Sequence, residues 1–468
     1  MNRFTGLLFA AALAVVPAAQ LVAESRAPSP ADDATIAHVL SRVTFGARPG
    51  DVDRVRTLGL STWLDQQLHP SRIDDHAAEA MLPPLDQPPN SADPKELRRF
   101  ARRQIETLSS TKILRAMYSE RQLQEVLVDF WFNHFNVYAG KGRTAEYLPE
   151  YERDVIGPHV FDRFRDLLEA DAKSPAMLFY LDNWLSADPN AGQRIAELRG
   201  RRRFGRFANQ QQPPPKQNKK QPRGLNENYG RELLELHTLG VDGGYTQQDV
   251  INVARAFTGW TIDRRDGNFR FVPALHDTGE KVVLGHKIKA GGGIEDGEQV
   301  LDIVASHPAT AHHIAFELVQ RLVADEPPPA LVERAAARFR ETKGDLREVV
   351  KAIVTSPEFL SPPVRNAKFK TPFELVVSAV RTTGATVSDA RAFVQTLQQL
   401  GEPLYMCQPP TGYHDTADAW VSAGGLVTRM NFATRLASGN MPGVTLPANT
   451  PPAQELALQI GSPEFQRH

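Results

Sequence analysis

Apolar residues recur at three- and four-residue spacings along most of the chain, the period of helices that bury one stripe. From Ala34 onward this predicts a succession of helices. Ile36, Val39 and Leu40 mark the first, Val55, Leu58, Leu60, Trp63 and Leu64 a second that continues to Leu68, and 94–118 a long charged one. The segment 121–137 is strongly periodic: Leu123, Leu127, Phe130 and His134 fall on one line, which puts an imidazole on an apolar face. Tyr147 to Glu169 carries a further helix, divided near Pro158, and Ser174-Pro175 opens another. Asn226 to Gly240 is the densest mixture of charge and apolar surface. At about 100° per residue, Asn228, Arg231, Glu232 and Glu235 form one stripe beside Leu225, Tyr229, Leu233, Leu236 and Leu239.

Thr246 reads as the N-cap of the helix that follows, with Val250, Val253, Ala254 and Phe257 turned inward. Residues 261–288 instead alternate and carry turn residues, as short strands do, in FRFV and KVVLG. Helices return from Gln299, through 308–322, 330–341, 345–355 with Asp345 as cap, 372–383, 388–400 and 421–436, separated by a loop over 401–419. The fold class is therefore mainly α, a large multi-helix globular body with one short β-hairpin or small sheet region.

Three segments fall outside that body. Residues 1–23 have the basic start, the apolar run Leu7–Val16 and the small residues of a cleavable export signal, which places the mature chain in the periplasm or at the cell surface. Residues 24–33 read as a tether and 439–468 as a Pro-rich tail, leaving 34–438 as the helical domain. Within it, 194–223 is basic and rich in Gln and Pro, the composition of a disordered surface loop. No later segment is apolar enough to span a membrane once the signal is cleaved.

Charge changes the picture little. Lys and Arg total 54 against 55 Asp and Glu, so no global field points to nucleic acid. A single cysteine, Cys407, excludes an internal disulfide and any multi-cysteine metal site.

Candidate chemistry comes from polar groups in costly places. Glu232 and Glu235, one turn apart beside a core face, with His134 offered from elsewhere, supply the carboxylates and imidazole that acid–base work or a divalent-metal site needs. Asn133, Asn228 and Arg231 are the neighbouring binding candidates, and His276 with Asp277 form a second, loop-borne pair. Each has a structural alternative. His134 is a core histidine satisfied by a carbonyl or by Asn133; Arg231 neutralises Glu227 or Glu235; Asp277 caps a hairpin turn. Gly-x-Ser-x-Gly, His-Glu-x-x-His and phosphate-loop motifs are absent. The functional expectation is a hydrolytic or metal-assisted enzyme, set against a non-catalytic exported scaffold.

The motifs FWFNHF (130–135), NENYGRELLELHTLG (226–240), DVINVARAFTGW (249–260), HDTGEK with LGH (276–286) and WVSAGGLVTRMNFA together resemble the bacterial family called domain of unknown function 1800. The resemblance spans roughly residues 34–438. It implies an exported, mainly helical protein with a sulfatase-like protein as partner, and it brings no reaction. The family commonly carries Ala where this chain has Gly230, a change expected to leave the stripe in place.

Overall fold

A computed structural model describes residues 31–86, 93–192, 224–263 and 265–468. The export signal, most of the tether and the basic 194–223 loop lie outside the described residues. What is described is mainly α, with three two-residue or three-residue strand ladders. A single contiguous core joins it, running from Ile36 in the first helix to Ile460 in the last.

Local chemistry sets most helix starts. Asp32, Asp93, Ser174, Asn226, Asp345 and Ser422 each accept a backbone N–H of the helix they open. Thr246 forms a full capping box with Asp249 ahead of Gln247–Ala256, and Thr371 does so with Glu374 ahead of Pro372–Thr383. Both expected strand segments are present as antiparallel hairpins, Trp260–Ile262 with Phe269–Phe271 and Lys281–Val283 with His286–Ile288. The third ladder, Thr386–Val387 with Val444–Thr445, is too short to leave a pattern in sequence.

Gly59, at φ 87°, divides the helix expected over 51–68 into Asp51–Leu58 and Leu60–Leu68, and other expectations differ from the structure for tertiary reasons. The helix foreseen over 121–137 is Gln122–His134. Beyond its end, Asn136 donates to the carbonyls of Cys407 and Pro409, at 3.1 and 2.7 Å, tying the chain to the loop after Leu400. The 147–169 helix does not break at Pro158, which sits harmlessly in the first turn of Gly157–His159. A π-helical turn over Tyr151–Ile156 widens it instead, and 160–163 leaves the helix to bridge Asp345. The segment 439–468, foreseen as a tail, is packed. Ala453–Gly461 lies against Ala423–Ala437, and the terminal His468 is buried and exchanges backbone hydrogen bonds with Lys368.

Gly230 has a packing role. A Cβ there would lie 2.7 Å from the Val250 carbonyl oxygen, so Glu227–Glu235 and Gln247–Ala256 approach more closely than an alanine permits. The expectation that Ala would leave this helix undisturbed does not suit this helix pair.

Candidate active site

Four parts of the fold converge on a cleft of about 220 Å³. That is below the roughly 300–1,000 Å³ usual for a drug-sized ligand, so it admits one small unit or the end of something longer. Pro94–Tyr118 contributes Lys112, and Gln122–His134 contributes Asp129, Asn133 and His134. Pro308–Leu322 adds Glu317 and Arg321, and the loop after Leu400 adds Glu402, Tyr405, Tyr413, His414 and Asp415.

Helical spacing explains why the first three elements present charge inward. Asp129 and Asn133 lie one turn apart, as do Glu317 and Arg321, on helices whose other inward positions are apolar. Buried charges need partners, and each finds them. Arg321 bridges Asp129 at 3.2 Å, Glu374 at 3.0 Å and Asp415 at 3.0 Å. Lys112 meets Asp129 at 3.0 Å and Glu152 at 3.8 Å, and lies over the rings of Phe132, Phe373 and Tyr405. Burial opposes the charge on both cations, but the surrounding carboxylates outweigh it and hold them protonated.

His134 is fixed on both nitrogens. Nδ1 lies 2.7 Å from Glu317 Oε2 and Nε2 3.3 Å from the His237 carbonyl oxygen. A carboxylate and a carbonyl both accept, so this pair of partners favours the doubly protonated ring. Its burial disfavours that charge; the Glu317 carboxylate overcomes the penalty and raises the pKa. Glu317 is shifted the opposite way, held ionised by His134 against its own burial. With 29 % of its side chain exposed against 2 % for His134, Glu317 is the member that reaches solvent.

Glu402 is the counterpart. Burial, then the nearby Asp129 charge, pushes its carboxyl up to about 8. Its one described hydrogen bond is accepted from Phe373 N–H at 2.7 Å. The cleft therefore holds one carboxyl ionised and another protonated at neutral pH.

The loop carrying these groups is held under strain. Tyr405 adopts φ 63°, a left-handed conformation costing roughly 1–2 kcal/mol for a residue with a side chain. Its hydroxyl donates to Glu152 at 2.9 Å and its carbonyl accepts from Ala139 N–H at 2.9 Å. Asn133 clasps the backbone of Tyr413 through both its amide groups, at 2.7 and 2.8 Å. Gly412, at φ 69°, makes that possible: a Cβ would stand 2.4 Å from the Asn133 carbonyl oxygen.

The remaining sequence candidates occupy two other places. Asn228 is exposed. Arg231 donates to Gln247 at 2.7 Å, and Gln247 in turn donates to Glu227, so no direct Arg231 contact with Glu227 is involved. Glu235 accepts from the Tyr245 hydroxyl at 2.9 Å, and half-buried Glu232 has its carboxyl raised by burial and by Glu235. This helix reaches the cleft only through its continuation, where the His237 carbonyl meets His134. His276 is buried, with Nδ1 2.8 Å from the Thr258 carbonyl oxygen and Nε2 3.2 Å from Asp296. Asp277 faces away, pairing with both arms of Arg255 and accepting Gly279 N–H, the turn-capping arrangement. None of Asn228, Arg231, Glu232, Glu235, His276 and Asp277 lines the cleft.

Glu317, Arg321, Lys112 and Glu402 escaped the sequence reading. A signal existed for the first two, a charged i, i+4 pair inside an apolar-faced helix. Glu402 gave none, since a loop has no periodicity to violate. Among the described residues no group of three or more His, Cys, Asp and Glu is placed to hold a metal ion. Asp129, Asp415 and Glu317 are met by cationic side chains.

No curated protein and no solved structure matches the chain. A family model does, over residues 38–467, which takes in every element that builds the cleft as well as the packed C-terminal segment. The chain therefore belongs to the family described as protein of unknown function (DUF1800).

Proposed function

We propose that this protein is a hydrolytic enzyme working by general acid–base chemistry, with Glu402 as the acid and Glu317, oriented by His134, as the base. The observation that carries the reading is the opposite protonation of two carboxyls in one cleft, the arrangement by which a site runs both halves of a proton transfer at neutral pH. Glu402 would give its proton to the leaving oxygen as the substrate's C–O bond breaks. Glu317 would take a proton from the attacking water. Lys112, Arg321 and His134 offset Asp129, Asp415 and Glu317, so the cleft suits an uncharged polar unit such as a sugar ring, with Tyr405 and Tyr413 beside it.

Of the residues expected from sequence, the proposal keeps His134 and Asn133, both as positioning groups, and takes Glu317 and Glu402 in place of Glu232 and Glu235 as the working carboxylates. It keeps the exported setting, which fractionation of expressing cells tests directly.

Two measurements test the reading. Turnover of a panel of nitrophenyl glycosides and esters falls at least a hundredfold in Glu402→Gln and Glu317→Gln, each shown to be folded by a cooperative melt. Carbon NMR of labelled glutamate shows a carboxyl titrating near 8 that vanishes in Glu402→Gln. A Glu402 that titrates in the ordinary carboxylate range overturns the proposal without any substrate being known.

A second reading has its own observation. Arg321 ties three segments together, as a purely structural fastening would, and the chain would then be a non-catalytic exported partner protein. Under that reading the two variants change stability and no reaction.

A further inference from the structure

The motif HDTGEK with LGH takes no part in the cleft, yet it supplies the most enclosed lysine pair among the described residues. Lys281 opens the strand Lys281–Val283 and Asp296 sits in the first turn of Ile294–Ala305; their side chains are 0 % and 1 % exposed. Lys281 Nζ stands 2.7 Å from Asp296 Oδ2. The other buried lysines have a wetter partner: Asp129 beside Lys112 is 19 % exposed, and Asp325 beside Lys368 is 26 %. Taking both ions out of water is costly unless every remaining lone pair is met, and here one is not. Asp296 Oδ1 is buried without a hydrogen-bond partner, covered by the bare backbone of Gly292, where a Cβ would collide with it.

The pair is also arranged for more than attraction. Lys281 Nζ donates to the carbonyls of Asp277 and Gly279, at 2.6 and 2.9 Å, which fix it against the carboxylate. With a C–O bond of about 1.2 Å, the Asp296 carboxyl carbon is at most about 4 Å from that nitrogen, near the separation of about 3–3.5 Å from which a nucleophile attacks. His276 Nε2 lies 3.2 Å from the same Oδ2, with Nδ1 anchored on the Thr258 carbonyl oxygen at 2.8 Å. An imidazole so placed can hand a proton to a departing oxygen. The Phe271 ring stands edge-on to His276 at 5.4 Å, and the Trp260 ring lies against Gly297, the residue after Asp296. Together they screen the site from the water that would reverse such a step.

We propose that Lys281 and Asp296 join in an intramolecular isopeptide bond that the folded chain forms on itself. One proton passes from the ammonium to the carboxylate, and the freed nitrogen lone pair attacks Cγ. The Nζ–Cγ bond forms as the Cγ–Oδ2 bond breaks. Oδ2 departs as water with two of the three Nζ protons, the second delivered by His276 Nε2, which recovers it from the nitrogen. The two charges cancel, so a neutral amide replaces a desolvated ion pair and no further reactant is needed. The bond would fasten the hairpin of Lys281–Val283 and His286–Ile288 to Ile294–Ala305, a covalent staple in a chain whose single cysteine forbids an internal disulfide. It stands apart from whatever reaction the cleft performs.

Trypsin digestion of the purified full chain after denaturation, read by mass spectrometry, tests this. A branched peptide joining the segments that hold Lys281 and Asp296 is expected, lighter by one water than the two strands together and absent from Lys281→Met and Asp296→Ala. His276→Gln, shown to be folded by a cooperative melt, should form the branch about a hundredfold more slowly after pulse-labelling in expressing cells. Formation at the parent rate would overturn the part assigned to His276. The proposal as a whole fails if the parent chain yields only linear peptides, with Lys281 cleaved as an ordinary lysine. That result needs no variant to fold, and it would leave the pair a buried salt bridge.

Discussion

Replacing Glu402 by Gln isolates the energetic signature of a carboxyl held protonated. The amide keeps the shape and an oxygen for the Phe373 N–H, now accepted at 2.7 Å, but cannot ionise. In the native protein the carboxyl is raised to about 8; unfolded, it titrates near 4.5. Between those values the unfolded chain has released the proton and the native chain still holds it, so the unfolded state binds fewer protons and stability falls as pH rises. Each pH unit in that window costs about 1.4 kcal/mol, amounting to about 3 kcal/mol by pH ~7. Above about 8 both states are ionised and the slope vanishes. For a chain of 468 residues, unfolding entropy near 2.1 cal/mol/K per residue converts that to roughly 3 °C. Melting curves of the parent and Glu402→Gln should therefore nearly coincide at mildly acidic pH. They should separate progressively toward pH ~8, with the variant higher. Parallel curves at every pH would show that Glu402 ionises normally, and the acid assigned to the cleft would be lost with it.

Other substitutions probe the supports of the site. Arg321→Met strips the partner from Asp129, Glu374 and Asp415 at once and should cost about 3–5 kcal/mol, measured by urea unfolding; a loss under 1 kcal/mol would mean the cluster is solvated. His134→Gln removes the imidazolium that holds Glu317 ionised, so the Glu317 carboxyl should titrate higher by NMR, and an unchanged titration would break the assigned dyad. Gly412→Ala forces a Cβ against the Asn133 carbonyl and into a left-handed backbone, and should destabilise by about 1–3 kcal/mol; protease cutting near Tyr413 should rise with it. Thr246→Ala removes one side of a capping box and should cost about 1 kcal/mol, with little effect on the cleft.

The sequence by itself determined whatever depends on neighbours within a turn or two. Thr246, Asp345 and Ser174 announce their helices because a cap needs only an oxygen three or fewer residues from a free N–H. The hairpins at 260–271 and 281–288 are legible because alternation has a period of two. His134 was visible as an imidazole on an apolar line, and its position in the cleft wall explains the anomaly. Which carboxylate it meets was decided only by packing: Glu317 stands 183 residues away, and nothing local separates it from Glu232 or Glu235. The protonated state of Glu402 likewise has no counterpart in a loop sequence, because it arises from burial beside Asp129 and Phe373. The C-terminal segment read as a tail because its prolines suit an extended chain. Its contacts with Lys368 and Ala423–Ala437 come from elements that close over one another only when the whole body folds. Periodicity and capping are short-range and survive in one dimension; charge pairing and desolvation depend on distance in space, which only the tertiary fold supplies.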